Sequence, residues 1–109
     1  MVIHGFNLIN DITLVSTVDS ARYIGYFYYK DIPIQYDDVN ISRLIKNSVN
    51  INCIISNSIR NLERKLRNEV DYILIGDKVR RKLYLWIKDT LTEEVEVEKE
   101  FIRKKKWRN

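Results

Sequence analysis

The chain has 109 residues, of which 45% are hydrophobic and 31% are charged, and its formal net charge is +4. This length and composition are typical of one globular domain, here residues 1–109, and exclude disordered and collagen-like proteins. The longest uncharged stretch, NSVNINCIISNSI, is rich in Asn and Ser and is shorter than the ~20 apolar residues that a bilayer requires. We therefore expect no membrane partner.

The distribution of charge and cysteine indicates an intracellular protein with a basic tail. A single cysteine rules out an internal disulfide, and MVIHGFNLINDITLV lacks the basic start and apolar core of a secretory signal. We therefore expect a reducing compartment. The last seven residues, RKKKWRN, carry +5, whereas the first forty carry −3. We interpret residues 103–109 as a basic C-terminal extension.

The first forty residues have the composition of β-strands. ITLVSTV and RYIGYFYY are rich in β-branched and aromatic residues, and Asp19-Ser20 between them is suitable for a turn. This pattern predicts an N-terminal antiparallel hairpin, or a three-strand unit if MVIHGFN adds a strand. We expect DIPIQYDD to interrupt the sheet, because Pro33 cannot donate a ladder hydrogen bond.

The middle of the chain, residues 41–67, has helical periodicity. Its apolar residues recur mostly three or four positions apart, Asn40 or Ser42 could cap the start, and cations accumulate near the end. An unbroken helix here would be about 40 Å long. Two helices with a break near Asn50 are the alternative, because NSVNINCIIS contains poor helix formers.

From Val70 onward, polar and apolar residues alternate with a period of two. DYILI, VRRKLYLWIK and the acidic EEVEVEKEF predict a C-terminal three-strand antiparallel meander. With a turn at residues 89–91, Leu83 lies opposite Val97, and Lys82 lies opposite Glu98. The complete prediction is an α+β fold: the N-terminal strands, one long helix or two shorter ones, and the C-terminal meander.

Signals of enzymatic chemistry are nearly absent. There is no Gly-rich phosphate loop and no pair of Cys or His residues at metal-ligand spacing, and we expect the single histidine, His4, to be structural or exposed. Glu63 and Lys65 match half of a nuclease signature that Asp37 and Asp38 could complete around Mg²⁺. Those nucleases place the Glu and Lys on a strand, however, and here both fall on a predicted helix. We expect no catalytic residue, cofactor or metal.

Basic and aromatic residues form the strongest functional pattern. Alternate residues along one predicted strand would share its outer face, an arrangement that single-strand platforms use for base stacking and phosphate contact. The predicted nucleic-acid site combines this strand with the tail: Arg80, Lys82, Tyr84, Trp86, Lys88, Arg103, Lys104, Lys105, Lys106, Trp107 and Arg108. Binding through such charges would be non-specific and salt-sensitive. The alternatives are a half-covered sheet face and a tail that protects a sheet edge.

The predicted helix also offers a surface for a homodimer. Its heptad-like spacing predicts a seam formed by Asn52, Ile55, Ile59, Leu62 and Leu66. The alternative is that the helix lies on its own sheet. We expect Cys53, in the same stripe, to be a small buried hydrophobe.

The overall composition resembles that of a group of viral proteins. The chain has sixteen isoleucines, ten asparagines and seven tyrosines but one alanine and one glutamine, and it contains YIGYFYYKDIPIQY and NSVNINCIISNS. In this it is similar to the small orphan proteins of filamentous and rod-shaped viruses of hyperthermophilic archaea. The resemblance implies a compact protein of the host cytoplasm, often dimeric, that binds nucleic acid or a host factor.

These observations lead to two functional hypotheses. The first is a non-enzymatic small viral protein that binds nucleic acid weakly through its basic tail and the adjacent sheet face. The alternative is a protein-binding module, such as an inhibitor of a host defence or replication complex, that acts through its acidic residues or its aromatic surface.

Overall fold

Four strands followed by three helices make up the described part of the chain. The computed structural model describes residues 2–9, 11–19, 21–70 and 75–107. The elements are β1 Val2–Ile9, β2 Ile12–Asp19, β3 Arg22–Tyr29, β4 Ile32–Asn40, α1 Ile41–Lys46, α2 Ile51–Glu69 and α3 Asp77–Trp107. The α+β class is therefore confirmed. The N-terminal unit has at least one strand more than predicted. Two of the three strands predicted for the C-terminal meander are helical instead, whereas the first, DYILI, lies mostly outside the described residues.

The strands form one antiparallel sheet in the order β1-β2-β3-β4. Short turns connect them, and in the β3–β4 turn both Lys30 and Asp31 have positive φ, at 51° and 65°. This is the pattern of a type I′ turn, whose twist matches that of the flanking strands. Pro33 does not interrupt the sheet as predicted, because β4 is an edge strand and Pro33 pairs with Tyr28 there.

A β-bulge in β4 places Tyr36 over Gly25. The pairing of β3 with β4 shifts between Gly25, which lies opposite Asp37, and Tyr26, which lies opposite Gln35, so that Tyr36 is the extra residue. The buried Tyr36 ring fills the space above Gly25, where a Cβ atom would lie 2.5 Å from Tyr36 Cζ. The Tyr36 hydroxyl then reaches the Tyr23 hydroxyl at 3.3 Å.

The middle segment forms two helices, which is the alternative with a break near Asn50. Asn40 caps α1 by accepting a hydrogen bond from Arg43 N at 3.0 Å, and Asn50 caps α2 by accepting one from Asn52 N at 2.8 Å. Between them, Ser48 has a left-handed φ of 57°. Asn40 therefore begins α1 and Asn50 begins α2, because each side chain satisfies a backbone donor at a helix N-terminus.

Residues 77–107 form a single 31-residue helix instead of two paired strands. Leu83, Ile87 and Leu91 are fully buried and lie four residues apart, as helical packing requires. The segment has neither Gly nor Pro, and Glu, Lys, Arg and Leu are good helix formers. The pairings of Leu83 with Val97 and of Lys82 with Glu98 are therefore wrong.

One apolar layer lies between the sheet and the helices. Alternate residues of β2 and β3 face the helices, while α2 and α3 direct their apolar stripes at the sheet. The largest fully buried apolar side chains are Leu14, Tyr23, Phe27, Ile41, Ile55, Leu62, Leu66, Leu83, Ile87 and Leu91. Because the helices cover a single face of the sheet, the structure has two outer surfaces, one of helices and one of strands.

We predict that Gly25→Ala destabilises the protein by about 1–3 kcal/mol, because the added methyl group would overlap the buried Tyr36 ring. Denaturant titration measures this change in the free energy of unfolding. Gly5→Ala is the matched control on the same sheet, since nothing lies within 4 Å of a Cβ atom there. Equal stability of the two variants would contradict the packing of Tyr36 over Gly25.

We also predict that Asp31→Gly raises the free energy of unfolding by about 1 kcal/mol. Asp31 adopts a φ of 65°, which costs less for glycine than for residues with a Cβ atom. Thermal unfolding would show a higher midpoint than the wild type. Asp77→Gly, in the first turn of α3, should lower the midpoint instead, because glycine is unfavourable in a helix.

Candidate nucleic-acid interface

The outer surface of the helical layer brings together cations and one aromatic ring. Arg80, Tyr84 and Lys88 follow each other at intervals of four residues on α3, so they lie on one side of the helix. Arg81 lies seven residues before Lys88 and shares this side. The three cations are exposed and Tyr84 is half-buried. We call Arg80, Arg81, Tyr84 and Lys88 the α3 basic face.

A groove of about 340 Å³ runs between α2 and α3 beside this face. Its lining consists of Ser56, Ile59, Arg60, Glu63, Arg80 and Tyr84. Arg80 Nη2 donates to Glu63 Oε2 at 2.9 Å, and the Tyr84 hydroxyl donates to Asn52 Oδ1 at 2.7 Å. These two contacts join the helices and fix the positions of a guanidinium and an aromatic ring at the groove.

A second depression on the other side of Tyr84 extends the surface. It has a volume of about 440 Å³ and is lined by Asp77, Arg80, Arg81, Tyr84 and Leu85. Leu85 is 48% exposed although its side chain is apolar. The surface therefore offers apolar and aromatic area between cations, which is the combination that a stacked base and its phosphate require.

Charge varies in blocks along the chain, and the helical surface belongs to a positive block. Residues 60–88 contain nine basic and four acidic residues, a net charge of +5. Residues 1–40 have a net charge of −3, and residues 89–100 have one of −5. Outside the tail, positive charge is therefore concentrated over the second half of α2 and the first half of α3, and residues 89–100 of α3 would repel an anion.

The structure separates the five residues that were predicted to share one strand face. Arg80, Tyr84 and Lys88 remain together because residues four positions apart lie on the same side of a helix as well as on the same face of a strand. Trp86 instead turns toward the core, where its ring packs on Phe6 with centroids 5.3 Å apart. Lys82 is exposed but lies about 100° around the helix from Arg81. The shared face predicted for Lys82 and Trp86 is therefore wrong.

The basic tail continues α3 rather than a strand. The helix ends at Trp107, and Arg103 and Lys104 are exposed on it, with Arg103 in an ion pair with Glu100. Lys105, Lys106 and Trp107 belong to the helix, but their side chains lie outside the described part of the structure, as does Arg108. About 22 Å of helix separates Lys88 from Arg103, so the tail is not adjacent to the α3 basic face.

The residues of the predicted dimer seam belong to the core of a single chain. Ile55, Ile59, Leu62 and Leu66 are buried against the sheet and α3. Asn52 is exposed and accepts the hydrogen bond from Tyr84. A dimer through this seam would require the core to open, so the alternative, a helix that lies on its own sheet, describes these residues.

Sequence reasoning missed Arg60 and Arg81 as members of the surface. Arg81 follows Arg80 in the sequence, so a predicted strand placed it on the opposite face. Arg60 lies on α2, and its place in the groove depends on how α2 and α3 pack. A helix assignment for residues 77–107 would have identified Arg81, but no local pattern identifies Arg60.

The other sequence candidates for chemistry lie on α2, β4 and β1. Glu63 lies on α2 and pairs with Arg80, so the nuclease motif is not assembled on a strand. Cys53 is exposed, which corrects the prediction that it is buried. The side chain of His4 lies outside the described residues. Among the residues that the structure describes, no group of His, Cys, Asp or Glu could hold a metal ion.

Asp37 contacts a buried polar cluster between the sheet and α2, which no sequence pattern indicated. Ser16 and Ser58 are fully buried, and they lie near the paired hydroxyls of Tyr23 and Tyr36. Asp37 Oδ1 accepts hydrogen bonds from Asp38 N at 3.0 Å and Asn61 Nδ2 at 3.4 Å. Asp37 Oδ2 and the two serine hydroxyls are buried without a hydrogen-bond partner. The cluster therefore has unused donors and acceptors.

Neighbouring aspartates of β4 have opposite pKa shifts. Burial raises the pKa of Asp37, although the nearby Ser58 hydroxyl, the backbone N–H of Asp38 and Asn61 partly lower it. The pKa of Asp38 is lowered because Arg22 donates two hydrogen bonds to it, at 2.7 Å and 3.1 Å. Burial thus disfavours the charge on Asp37, whereas Arg22 favours the charge on Asp38.

We predict that Asp37→Asn stabilises the protein at neutral pH by about 1 kcal/mol, because the amide is neutral and can donate to the unpartnered hydroxyls. The raised pKa of Asp37 means that the folded state binds its proton more tightly than the unfolded state. Stability from this group is therefore present below its ordinary pKa and is lost as the pH rises through the folded value. Denaturant titrations from pH 3 to pH 8 should show this loss in the wild type and a smaller loss in the variant.

Asp38→Asn is the matched control for this experiment. The lowered pKa of Asp38 means that its contribution is present above its ordinary pKa and is lost as the pH falls. The Asp38→Asn variant should therefore change the free energy of unfolding at acidic pH. The loss of stability with rising pH that is due to Asp37 should remain. If Asp37→Asn destabilises the protein at every pH, the assignment of an unfavourable buried carboxylate to Asp37 is incorrect.

Comparison with known proteins gives no relative from which a function could be transferred. No family model, no curated protein and no solved structure matches the chain. Within the described residues, no helix is both long and apolar enough to cross a membrane. The surfaces of this chain therefore carry the functional information, and the α3 basic face with its adjoining groove has a clear chemical preference.

Proposed function

We propose that the protein binds nucleic acid without sequence specificity through the α3 basic face and the groove beside it. The observation that carries the proposal is the grouping of exposed Arg80, Arg81 and Lys88 around the half-buried Tyr84. Phosphate contacts supply most of the affinity in non-specific binding, and aromatic side chains add stacking with any base.

The shape of this surface favours a single strand over a duplex. Tyr84 lies between two depressions and is flanked by the exposed apolar side chain of Leu85. In a duplex the base faces are already stacked, so they are not accessible to an aromatic side chain on a protein surface. An unpaired base can lie against Tyr84 while its phosphates contact the neighbouring cations.

The proposed role of the tail is secondary. Arg103 and Lys104 carry positive charge, but residues 89–100 lie between them and the α3 basic face with a net charge of −5. A strand that contacted both regions would have to pass an acidic helix. We therefore propose that the helical surface makes the main contact and that the tail adds electrostatic attraction over a longer range.

The same charge pattern supports a second candidate function, a protein-binding module. The distal part of α3 contains six acidic residues between Asp89 and Glu100, and Glu96 is exposed there. An acidic helix of this kind would attract a basic protein surface rather than a nucleic acid. This candidate uses a different part of the chain, so substitutions can separate the two.

We predict that Arg81→Gln combined with Lys88→Gln weakens binding of single-stranded oligonucleotides and reduces the dependence of binding on salt. Each lost phosphate contact should lower the slope of log affinity against log salt by ~0.7. Fluorescence anisotropy at several salt concentrations measures both quantities. Lys78→Gln combined with Lys82→Gln removes the same charge from another side of α3 and is the matched control.

Tyr84 provides a test that does not change the charge. We predict that Tyr84→Leu weakens binding by ~1–3 kcal/mol, the value of one base stack, while the salt slope stays the same. Tyr84→Phe removes the hydrogen bond to Asn52 but keeps the aromatic ring. Because stacking depends on the ring, this variant should bind oligonucleotides like the wild type.

Truncation after residue 102 distinguishes the helical surface from the tail. The proposal expects the truncated chain to retain most of the binding and the Arg81 and Lys88 variant to lose it. The opposite result would assign the binding to the tail. Absence of binding in the intact chain at low salt would reject nucleic acid as the ligand and leave the acidic part of α3 as the functional surface.

A further inference from the structure

The outer face of the sheet is not covered by any described helix. The residues of β2 and β3 that alternate with the core point away from the helices, and they include Val15, Thr17, Ile24, Tyr26 and Tyr28. Tyr26 and Tyr28 form an edge-to-face pair with ring centroids 5.8 Å apart, and Tyr28 is 37% exposed. This face therefore presents aromatic and β-branched side chains to the exterior.

The described side chains of the outer face carry no net charge, which distinguishes this face from the helical surface. Among its described side chains the charged ones are Arg22 and Asp38, and these pair with each other through two hydrogen bonds. Among the described side chains of this face, no cation is therefore left unpaired for a phosphate. A neutral surface of tyrosine and β-branched residues fits the equally neutral sheet of another protein better than it fits a nucleic acid.

Three paired residues form a row across the outer face, with Val15 in the middle. On one side of Val15 is the large side chain of Tyr26, and on the other side is Gly5, which has no side chain. Gly5 of β1 pairs with Val15 of β2, and Val15 pairs with Tyr26 of β3. A Cβ atom at Gly5 would have nothing within 4 Å. Because neighbouring strands are ~4.8 Å apart, Gly5 and Tyr26 lie at about equal distances from Val15.

This spacing makes the face complementary to itself. Consider two stacked sheets related by a two-fold axis that lies midway between them and is parallel to β2. This axis places β1 of one copy opposite β3 of the other copy. Tyr26 of each copy then faces Gly5 of the second copy, and the two Val15 side chains meet at the axis. Stacked sheets are ~10 Å apart, and a tyrosine opposite a glycine fits that distance.

We propose that the outer face of the sheet binds a second copy of this chain, with Tyr26 of each copy over Gly5 of the other. The outward residues of β4, Pro33, Gln35 and Asp38, are exposed and supply a polar rim. This homodimer uses the sheet, whereas the seam predicted from the sequence lies in the core. The interface is isologous, because each copy contributes both the ring and the empty position.

The size of the face predicts a weak dimer. Four strands of eight residues cover roughly 19 by 26 Å, so two faces would bury on the order of 1,000 Å². This is near the lower limit for a specific interface. The dimer should therefore dissociate on dilution, and sedimentation velocity of the full chain over a wide concentration range should show a monomer–dimer equilibrium.

Gly5→Phe tests the interface without changing the core. Nothing lies within 4 Å of a Cβ atom at this exposed position and the φ of Gly5 is not positive, so the monomer should fold as the wild type does. The new ring would occupy the place of the second copy's Tyr26, and the dissociation constant should rise by at least about tenfold. Asn68→Phe adds the same ring to an exposed position on α2 and should leave the dissociation constant unchanged.

Val15 at the proposed axis allows a complementary test. Val15→Asp and Val15→Lys should each prevent self-association, because like charges would meet at the axis. A mixture of the two variants should form a heterodimer. Donor and acceptor dyes on Cys53, which is exposed on α2 and is the single cysteine of the chain, would detect it by energy transfer. Circular dichroism of each variant confirms that it is folded.

Two results would overturn the proposal. One is a wild-type chain that remains monomeric at every concentration. The other is a dimer that Gly5→Phe leaves unchanged, with no energy transfer between the two Val15 variants, which would assign self-association to another surface. In the first case, loss of oligonucleotide binding in the Gly5→Phe variant would assign the outer face to a nucleic-acid site.

Discussion

The fold depends on one apolar layer, which the sheet supplies from one side and α2 and α3 from the other. A four-stranded sheet without this cover would leave Leu14, Tyr23 and Phe27 in water, and each such side chain is worth roughly 1.5–3 kcal/mol when it is buried. The helices likewise need the sheet, because their stripes of Ile and Leu have no other described partner. Since one layer uses a single face of each element, the opposite faces are free, and they differ in chemistry.

The hairpin of β2 and β3 could be predicted, whereas β4 and α3 could not, because their local signals differ. ITLVSTV and RYIGYFYY combine β-branched residues with a period of two, and propensity and pattern agree there. In residues 77–107 they disagree: EEVEVEKE alternates like a strand but consists largely of helix formers. Leu83, Ile87 and Leu91, four residues apart, also fit a helix, and packing against the sheet decided between the two.

The candidate site could be predicted in part for the same reason. Arg80, Tyr84 and Lys88 share a face in a strand and also in a helix, because a spacing of four satisfies both periods, whereas Trp86 does not remain with them and packs on Phe6. Arg60 and the cluster around Asp37 depend on contacts between elements that are distant in sequence. The Tyr36 bulge over Gly25 is another such contact, and nothing in DIPIQYDD indicates it.

The two outer surfaces have a joint consequence if both proposals hold. A dimer formed through the outer faces of the sheets places the helical layers on its two outer sides, so the α3 basic faces point in opposite directions. Such a dimer could not bind one short strand with both basic faces, and it would instead connect two strands or two distant parts of one strand. The gain from bivalency would then depend on the length of nucleic acid between the two contacts. Because the described charges of the sheet face, Arg22 and Asp38, pair with each other, salt should weaken nucleic-acid binding much more than dimerisation, so the two equilibria can be measured independently on the same chain.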